Sequence, residues 1–341
     1  MDLLTQGLVG SAVAQSFAGP NAQGRAVWYG AVAGMAPDLH ALIRSSADPL
    51  LNLDYHRHFS HSLAFIPVGA TFVALLIWWL SRRRFDFREI WQACMLGYAT
   101  HGLLDVCTSY GTHLLWPFAL ERVSWNLVSI VDPLFTLPLL VFVIAASRSK
   151  RQWLAWCASA WMLGFFVLGW WQHQRAMGAA EQVAQIRGHE PMRMTVKPSF
   201  ANLVLWKAIY EFEGYYYVDA VRVGTRAHWY PGARVRKLDL SRDFPGLGPA
   251  TQQAQDIERF RWFSDDYLSV MDQSPRVVDM RYSLVPNEVD PMWGIDIDTT
   301  QPDSHVVWWA SRELTDIKRQ EFLKMVLGPG GVPLIEQEVK R

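Results

Sequence analysis

The sequence predicts a two-part chain: an α-helical membrane half, with four long spans and a short N-terminal helical hairpin, followed by a soluble α+β domain. Three observations carry this. Residues 1–171 hold 20 charged side chains and residues 172–341 hold 44, although the chain as a whole balances 32 basic against 32 acidic residues. Two stretches, Leu63–Leu80 and Trp153–Trp171, run 18 and 19 residues without a charge, close to the ~20 residues a helix needs to cross a bilayer. The tryptophans Trp78, Trp79, Trp91, Trp153, Trp170 and Trp171 stand at the ends of apolar stretches, as an interfacial belt requires. The boundary falls at residue 171, giving a membrane domain over 1–171 and a soluble domain over 172–341.

Composition narrows the function classes. Half the residues are hydrophobic and 19% are charged, which excludes a disordered chain. A net charge of zero gives no electrostatic footprint for nucleic acid. Cys94, Cys107 and Cys157 form no CxxC pair and lie in apolar stretches, so neither a disulfide scaffold nor a zinc knuckle is expected.

In chain order, Leu3–Gly19 and Gly24–Ala36 are rich in Gly, Ala and Ser around the breaker Gly19-Pro20-Asn21. Small residues let helices approach closely, so these segments read as a tight hairpin whose second arm is short for a crossing. A signal peptide fits poorly, because Asp2 stands where a positive n-region belongs. Long spans follow at Leu63–Leu80, Ile90–Tyr110, Leu127–Ala146 and Trp153–Trp171. Loops 20–25, 81–89 and 147–152 carry eight Lys/Arg, against three in loops 37–62 and 109–126. The positive-inside rule makes the first set cytoplasmic and the domain after Trp171 extracytoplasmic. In the second half, Asn202–Phe212 and Tyr215–Val223 read as a hairpin about Glu213-Gly214, with further strands at Arg276–Tyr282, Trp293–Asp298 and His305–Ala310. Gln252–Met271 and Thr315–Met325 have helical apolar spacing.

The ionisable residues of the membrane half are gathered rather than scattered. Asp38 and His40 follow the hairpin. His56, Arg57, His58 and His61 precede the first long span. His101 and Asp105 are four apart on one span and share a face; Asp132 opens the next. All fall toward the outer membrane face in this topology. A charge in hydrocarbon costs about 2.5–3.5 kcal/mol on insertion scales, so Asp105 and Asp132 need protein, water or a cation beside them. Imidazole and carboxylate are ligands for Zn²⁺ or Mn²⁺. The expected ligands are Asp38, His56, His61, His101 and Asp105, with His40 as an additional one. Asp38 or Asp132 serves as general base and Arg57 neutralises developing charge, while Ser62, Thr108 and Tyr110 orient the ligands. His58 suits solvent, and Asp132-Pro133 also reads as a helix start with a capping carboxylate.

These residues carry a resemblance. Met1-Asp2-Leu3-Leu4-Thr5-Gln6, Pro37-Asp38-Leu39, His56-Arg57-x-x-Ser60-His61-Ser62, His101-x-x-x-Asp105-x-x-Thr108-x-Tyr110-Gly111-Thr112 and Leu115-Trp116-Pro117-Phe118 occur in this order. The arrangement resembles the YdjM family over about residues 1–150. Pro198-Ser199-Phe200-x-Asn202 and Tyr215-Tyr216-Tyr217 are similar to the tail of its longer members. The resemblance implies an inner-membrane, metal-dependent hydrolase. The chain departs from the family pattern in two places: His40 stands where members often have Asp, and Gln6 follows Thr5 where many have His.

The leading expectation is therefore a membrane-embedded hydrolase using a divalent metal, Zn or Mn, at the lipid–water boundary, with a lipid or lipid-linked ester or phosphoester as substrate and the bilayer as its partner. Two other classes use the same residues differently: a transporter or proton relay built on intramembrane His and Asp, and an anchor that displays the outer domain for binding.

Overall fold

The computed structural model describes residues 1–334 apart from Pro20, Asp272, Gln273 and Pro329. Pro20, part of the expected hairpin breaker, therefore lies outside the described residues. The chain divides into two compact units. The first comprises Met1–Ile43, Tyr55–Trp171 and Phe200–Asn202; the second comprises Arg44–Asp54, Gln172–Ser199 and Leu203–Arg341.

The first unit is helical. Helices α1 (Leu3–Phe17) and α2 (Gln23–Met35) form the expected hairpin, α1 capped by Asp2, whose carboxylate accepts from the Thr5 amide. With 13 residues, α2 spans about 20 Å, short of the ~30 Å hydrocarbon core. A helical turn over Ala36–Leu42 follows, and a short α3 (Leu51–Asp54) interrupts the unit. Turns at Phe59–His61 and Leu63–Phe65 lead into α4 (Ile66–Leu80); α5 (Phe87–Val106), α6 (Pro133–Ser149) and α7 (Gln152–Ile186) complete the helices.

Glycine makes the centre possible. A Cβ on Gly30 of α2 would lie 2.4 Å from the Gly10 carbonyl oxygen of α1, and a Cβ on Gly97 of α5 would lie 2.4 Å from the carbonyl oxygen of Gly30. Three helices thus cross backbone against backbone at one level. Around the crossing pack Ala14, Ala26, Tyr29, Ala33, Val73, Ile90, Cys94 and Tyr98.

The expectation of four long spans needs correction. Among the described residues, two helices are long and apolar enough to cross a membrane: Leu63–Leu80 and Gln152–Ile186. Only 22% and 28% of their apolar windows are buried, whereas the core helix of a soluble protein is mostly covered. The segment expected over Ile90–Tyr110 is helix α5, but its first turn carries Arg88 and Glu89, and its last turn Asp105. The segment expected over Leu127–Ala146 starts late, because Asp132 caps the helix and Pro133 occupies its first turn; α6 is a 17-residue apolar helix with Pro138 inside it. The last span does not stop at Trp171. Helix α7 continues to Ile186 without a break, and Gly188 at φ +72° follows it.

The second unit is built on two antiparallel sheets. Strands β1 (Arg193–Pro198), β2 (Leu205–Phe212), β3 (Tyr215–Val223), β4 (Ala227–Arg236) and β9 (Val332–Pro333) form one in that order. The β2–β3 hairpin turns at Glu213-Gly214, both at positive φ. Strands β5 (Leu268–Val270), β6 (Arg276–Asp279), β7 (Trp293–Asp296) and β8 (Val307–Ala310) form the second. Three further helices are α8 (Leu240–Asp243), α9 (Gln252–Phe263) and α10 (Asp316–Leu327). Ala176, Ala179, Ala180 and Val183 of α7 cover Val196, Trp206, Ala208 and Val221 of the first sheet. The helix expected over Gln252–Met271 ends at Phe263, because Asp265 and Asp266 take positive φ and turn the chain into β5.

The glycine crossing gives a paired test. Gly30→Ala places a methyl group in the Gly10 backbone and lowers the thermal stability of detergent-purified protein. Gly178→Ala, at an exposed position of α7 with nothing within 4 Å of the new methyl, raises helix stability by about 0.5–1 kcal/mol. Melting curves that rank the two variants the other way would contradict the crossing.

Candidate metal centre

Three segments deliver four ligand atoms to one place. Asp38 sits in the helical turn after α2, whose first turn contains Pro37. His61 ends the turn that precedes α4. His101 and Asp105 lie one turn apart near the end of α5. The ligand atoms of these four residues lie within 4.8 Å of one another. His61 Nε2 and His101 Nε2 are 2.9 Å apart. Asp105 Oδ2 is 3.3 Å from the first and 3.6 Å from the second, and Asp38 Oδ1 is 3.6 Å and 3.4 Å from the same two atoms. A tetrahedron drawn at zinc–ligand distances has edges of about 3.3–3.6 Å.

Proton bookkeeping makes the group more specific than its distances. His101 Nδ1 faces the Gly34 carbonyl oxygen, which only accepts, so that nitrogen carries the ring proton. Ser60 Oγ donates to the Pro37 carbonyl, 3.1 Å away, and lies 3.0 Å from His61 Nδ1, which therefore donates to it. Neutral imidazole has one N–H. Both Nε2 atoms consequently present lone pairs, to each other and to two carboxylate oxygens. Protonating both rings would set two N–H groups head to head across 2.9 Å. Among the described residues, Asp105 Oδ2 is buried with no hydrogen bond, the ion pair with Arg57 Nε at 3.0 Å being its contact outside the group. A cation satisfies all four atoms at once, and the residues fit one.

The surroundings hold Asp105 in an orientation suited to this. Its Oδ1 accepts from Gln6 Nε2 at 2.9 Å and from the amino group of Met1. Arg57 Nε is 3.0 Å from Oδ2, while Arg57 Nη1 donates to Thr108 Oγ1 at 2.8 Å and to the Asp105 carbonyl at 3.3 Å. Arg57 holds this position with φ +55°, the left-handed region that non-glycine residues seldom adopt. Tyr98 donates from its hydroxyl to the Ser60 carbonyl at 3.0 Å, tying the His61 turn to α5. His61, His101 and Asp105 are 2% exposed or less, while the Asp38 side chain is 29% exposed, so the centre opens on the Asp38 side. Asp38 Oδ1 faces the two imidazole nitrogens at 3.4 and 3.6 Å, and as a ligand it binds in its ionised form.

Of the expected ligands, Asp38, His61, His101 and Asp105 meet. His56 and His40 do not enter the group. They bond to each other, Nδ1 to Nε2, at 3.0 Å, and His40 Nδ1 faces the Pro37 carbonyl at 3.1 Å. Burial, followed by the positive charge of Arg57, keeps His56 well below its ordinary pKa; burial and then His61 lower that of His40. Tyr110 packs edge-on against the His56 ring at 4.4 Å. Asp132 caps α6 through the Leu134 amide at 3.0 Å and stands apart from the four. Ser62 caps the turn at Leu63–Phe65 and bonds to none of them among the described residues, whereas Thr108 donates from its hydroxyl to the Asp105 carbonyl at 2.7 Å and accepts from Arg57. Arg57 faces Asp105 rather than open solvent. His58 is half-buried against His113 and Trp116, with ring centroids 4.6 and 5.7 Å away, instead of solvated.

Sequence reasoning missed Ser60, Gln6 and the Gly34 carbonyl as partners of the centre. Ser60 stood in the motif beside His61, so its neighbour was the available signal; a backbone carbonyl leaves none.

Among known proteins, the family model described as YdjM inner membrane protein matches residues 1–176. The chain belongs to the YdjM family. No curated protein and no solved structure matches it. Family membership and the two apolar helices together mark a membrane protein. The two departures from the YdjM pattern both fall at this centre. Gln6 supports Asp105, and His40 faces His61 edge-on with ring centroids 5.0 Å apart.

The proton argument ranks three variants. His61→Ala removes a ligand and abolishes stoichiometric binding of a divalent ion. Ser60→Ala leaves every ligand in place but frees the His61 ring, weakening affinity about 10–100-fold. His58→Ala binds as wild type does. Chelator competition on detergent-purified protein measures all three, and a Ser60→Ala affinity equal to wild type would contradict the assigned tautomer.

Proposed function

We propose that this protein is a zinc-dependent hydrolase embedded at the outer face of the inner membrane, cleaving a lipid or lipid-linked ester or phosphoester. The observation that supports it most is the set of two imidazole nitrogens and two carboxylate oxygens gathered within 4.8 Å, four of their separations at 3.3–3.6 Å, and open on one side. Two nitrogens and two oxygens in that geometry suit Zn²⁺ better than Mn²⁺, which favours six oxygen-rich positions. When bound, such an ion supplies Lewis acidity and lowers the pKa of water.

The chain's own residues do the rest. Asp105 is held by Gln6 and Arg57, so it does not swing when substrate enters. Arg57 offsets the negative charge of the two carboxylates within a buried site. Asp38, the accessible member, turns Oδ1 to the imidazoles; as the one partly exposed carboxylate of the four, it is the one we assign to take a proton from an incoming nucleophile. Asp132, engaged as a helix cap, is left out of the chemistry. The lipid-like substrate is argued from the exposed apolar surface of α4 and α7, including Val68, Phe72, Leu163 and Val167.

Two experiments test the reading. Zinc-loaded protein in detergent hydrolyses acyl-chain phosphate esters or carboxylic esters, and Asp105→Asn, nearly isosteric, lowers turnover at least about 100-fold in the fraction that remains folded. Full turnover in Asp105→Asn, or zinc-bound wild type inert on both ester classes, sinks the hydrolase. For location, the basic loop at Arg82–Arg84 is placed in the cytoplasm and the second unit outside. Reporter fusions after residues 85 and 175 then give cytoplasmic and extracytoplasmic signals respectively; a cytoplasmic signal at 175 reverses the orientation.

A further inference from the structure

Between its two ligand-bearing stretches, the chain leaves the first unit. Asp38 and His40 come before this excursion, and His56 and His61 come after it. The residues between, Arg44–Asp54, belong to the second unit. Asp54 is two residues from His56, so the end of the excursion and the start of the ligand turn are almost the same piece of chain.

The guanidinium of Arg259 grips the excursion at two carboxylates. Arg259 of α9 donates from Nη1 to Asp48 Oδ1 at 3.1 Å and from Nη2 to Asp48 Oδ2 at 2.9 Å, a two-point fork. Its Nε donates to Asp54 Oδ2 at 3.1 Å, and Nη2 reaches the same oxygen. Nη1 also meets Asp256, one turn back on α9, at 2.9 Å. Asp48 in turn accepts from the Leu50 amide at 2.9 Å, and Leu50 is fully buried. The loop is thus gripped at Asp48, seated at Leu50 and gripped again at Asp54.

Ordinary surface ion pairs contribute little to stability, and this one is not needed to satisfy α9. Asp256, itself fully buried, keeps His305 Nδ1 at 2.8 Å, the Val306 amide at 3.1 Å and Gln252 Nε2 at 3.1 Å without it. What Arg259 restrains is the path of a connection with metal ligands at both ends. Bringing Asp38 and His61 to one cation closes the loop between them, at a cost in chain entropy. A loop already fixed at Asp48 and Asp54 has lost part of that freedom beforehand, and preorganisation of this kind raises affinity without adding a contact.

We propose that Arg259 is a positioning residue for the metal centre: by clamping Asp48 and Asp54 it sets the affinity with which Asp38 and His61 hold the ion. This rests on the metal reading above and extends it to a residue of the second unit that touches no ligand.

The test uses the full chain in detergent and zinc alone, read by chelator competition, with thermal unfolding in the presence of a chelator as the control. Arg259→Ala and the double variant Asp48→Asn/Asp54→Asn each weaken zinc binding by about tenfold or more, the low end of losses seen for outer partners of metal ligands. Arg259→Lys, which keeps the charge but not the fork, falls between. Their zinc-free melting temperatures stay near that of wild type. The Asn variant leaves α9 untouched and decides the matter if Arg259→Ala folds poorly. Wild-type zinc affinity in that variant, or a drop in zinc-free stability with affinity unchanged, overturns the clamp while leaving the metal centre standing. A wild-type protein that binds zinc no better than His61→Ala removes the metal centre, and the clamp with it.

Discussion

The arrangement of the first unit follows from one electrostatic requirement: four proton-accepting atoms face each other in a space with almost no solvent. Two ring nitrogens and two carboxylate oxygens repel one another unless a cation or a set of protons lies between them. The protons are already committed elsewhere. Gly34 takes the one on His101, and Ser60, through Pro37, fixes the one on His61. Everything that brings α1, α2, α4 and α5 together therefore also brings together a binding site for positive charge.

The glycine crossing is what lets the site exist at this position. Gly34 lies one turn beyond Gly30 on α2, and its carbonyl reaches His101 because Gly30 and Gly97 let α2 and α5 touch. The same closeness lets Gln6 of α1 reach Asp105 on α5. Small residues in the hairpin, which carry no chemistry of their own, thus fix the tautomer of one ligand and the rotamer of another. The second unit enters the account through chain continuity, since the loop between the ligand segments is folded into it.

Much of this was legible in the sequence. The i, i+4 spacing of His101 and Asp105 put both on one helix face, and Asp38 and His61 stood at the edges of the apolar stretches that meet it. The β-branched and aromatic residues of Tyr215–Val223 and the Glu213-Gly214 turn gave the β2–β3 hairpin. Other features were not readable locally. His56 lies in the same histidine-rich run as His61, yet a turn of chain points it to His40 instead; spacing alone cannot separate the two. Hydropathy over residues 127–146 suggested a full span, but Asp132-Pro133 starts the helix late. Gln252–Met271 kept helical spacing beyond the point where Asp265 and Asp266 turn the backbone. Arg259 could not be linked to the centre from sequence at all, being about 200 residues from the loop it holds.

The central claim is that one divalent ion is held by two imidazoles and two carboxylates. X-ray absorption spectroscopy at the zinc edge, on purified protein loaded with one equivalent, addresses it directly. The account predicts four nitrogen or oxygen neighbours at about 2.0–2.1 Å, with the outer-shell scattering pattern of two imidazole rings. A spectrum with no imidazole scattering, or with sulfur neighbours near 2.3 Å, would contradict it.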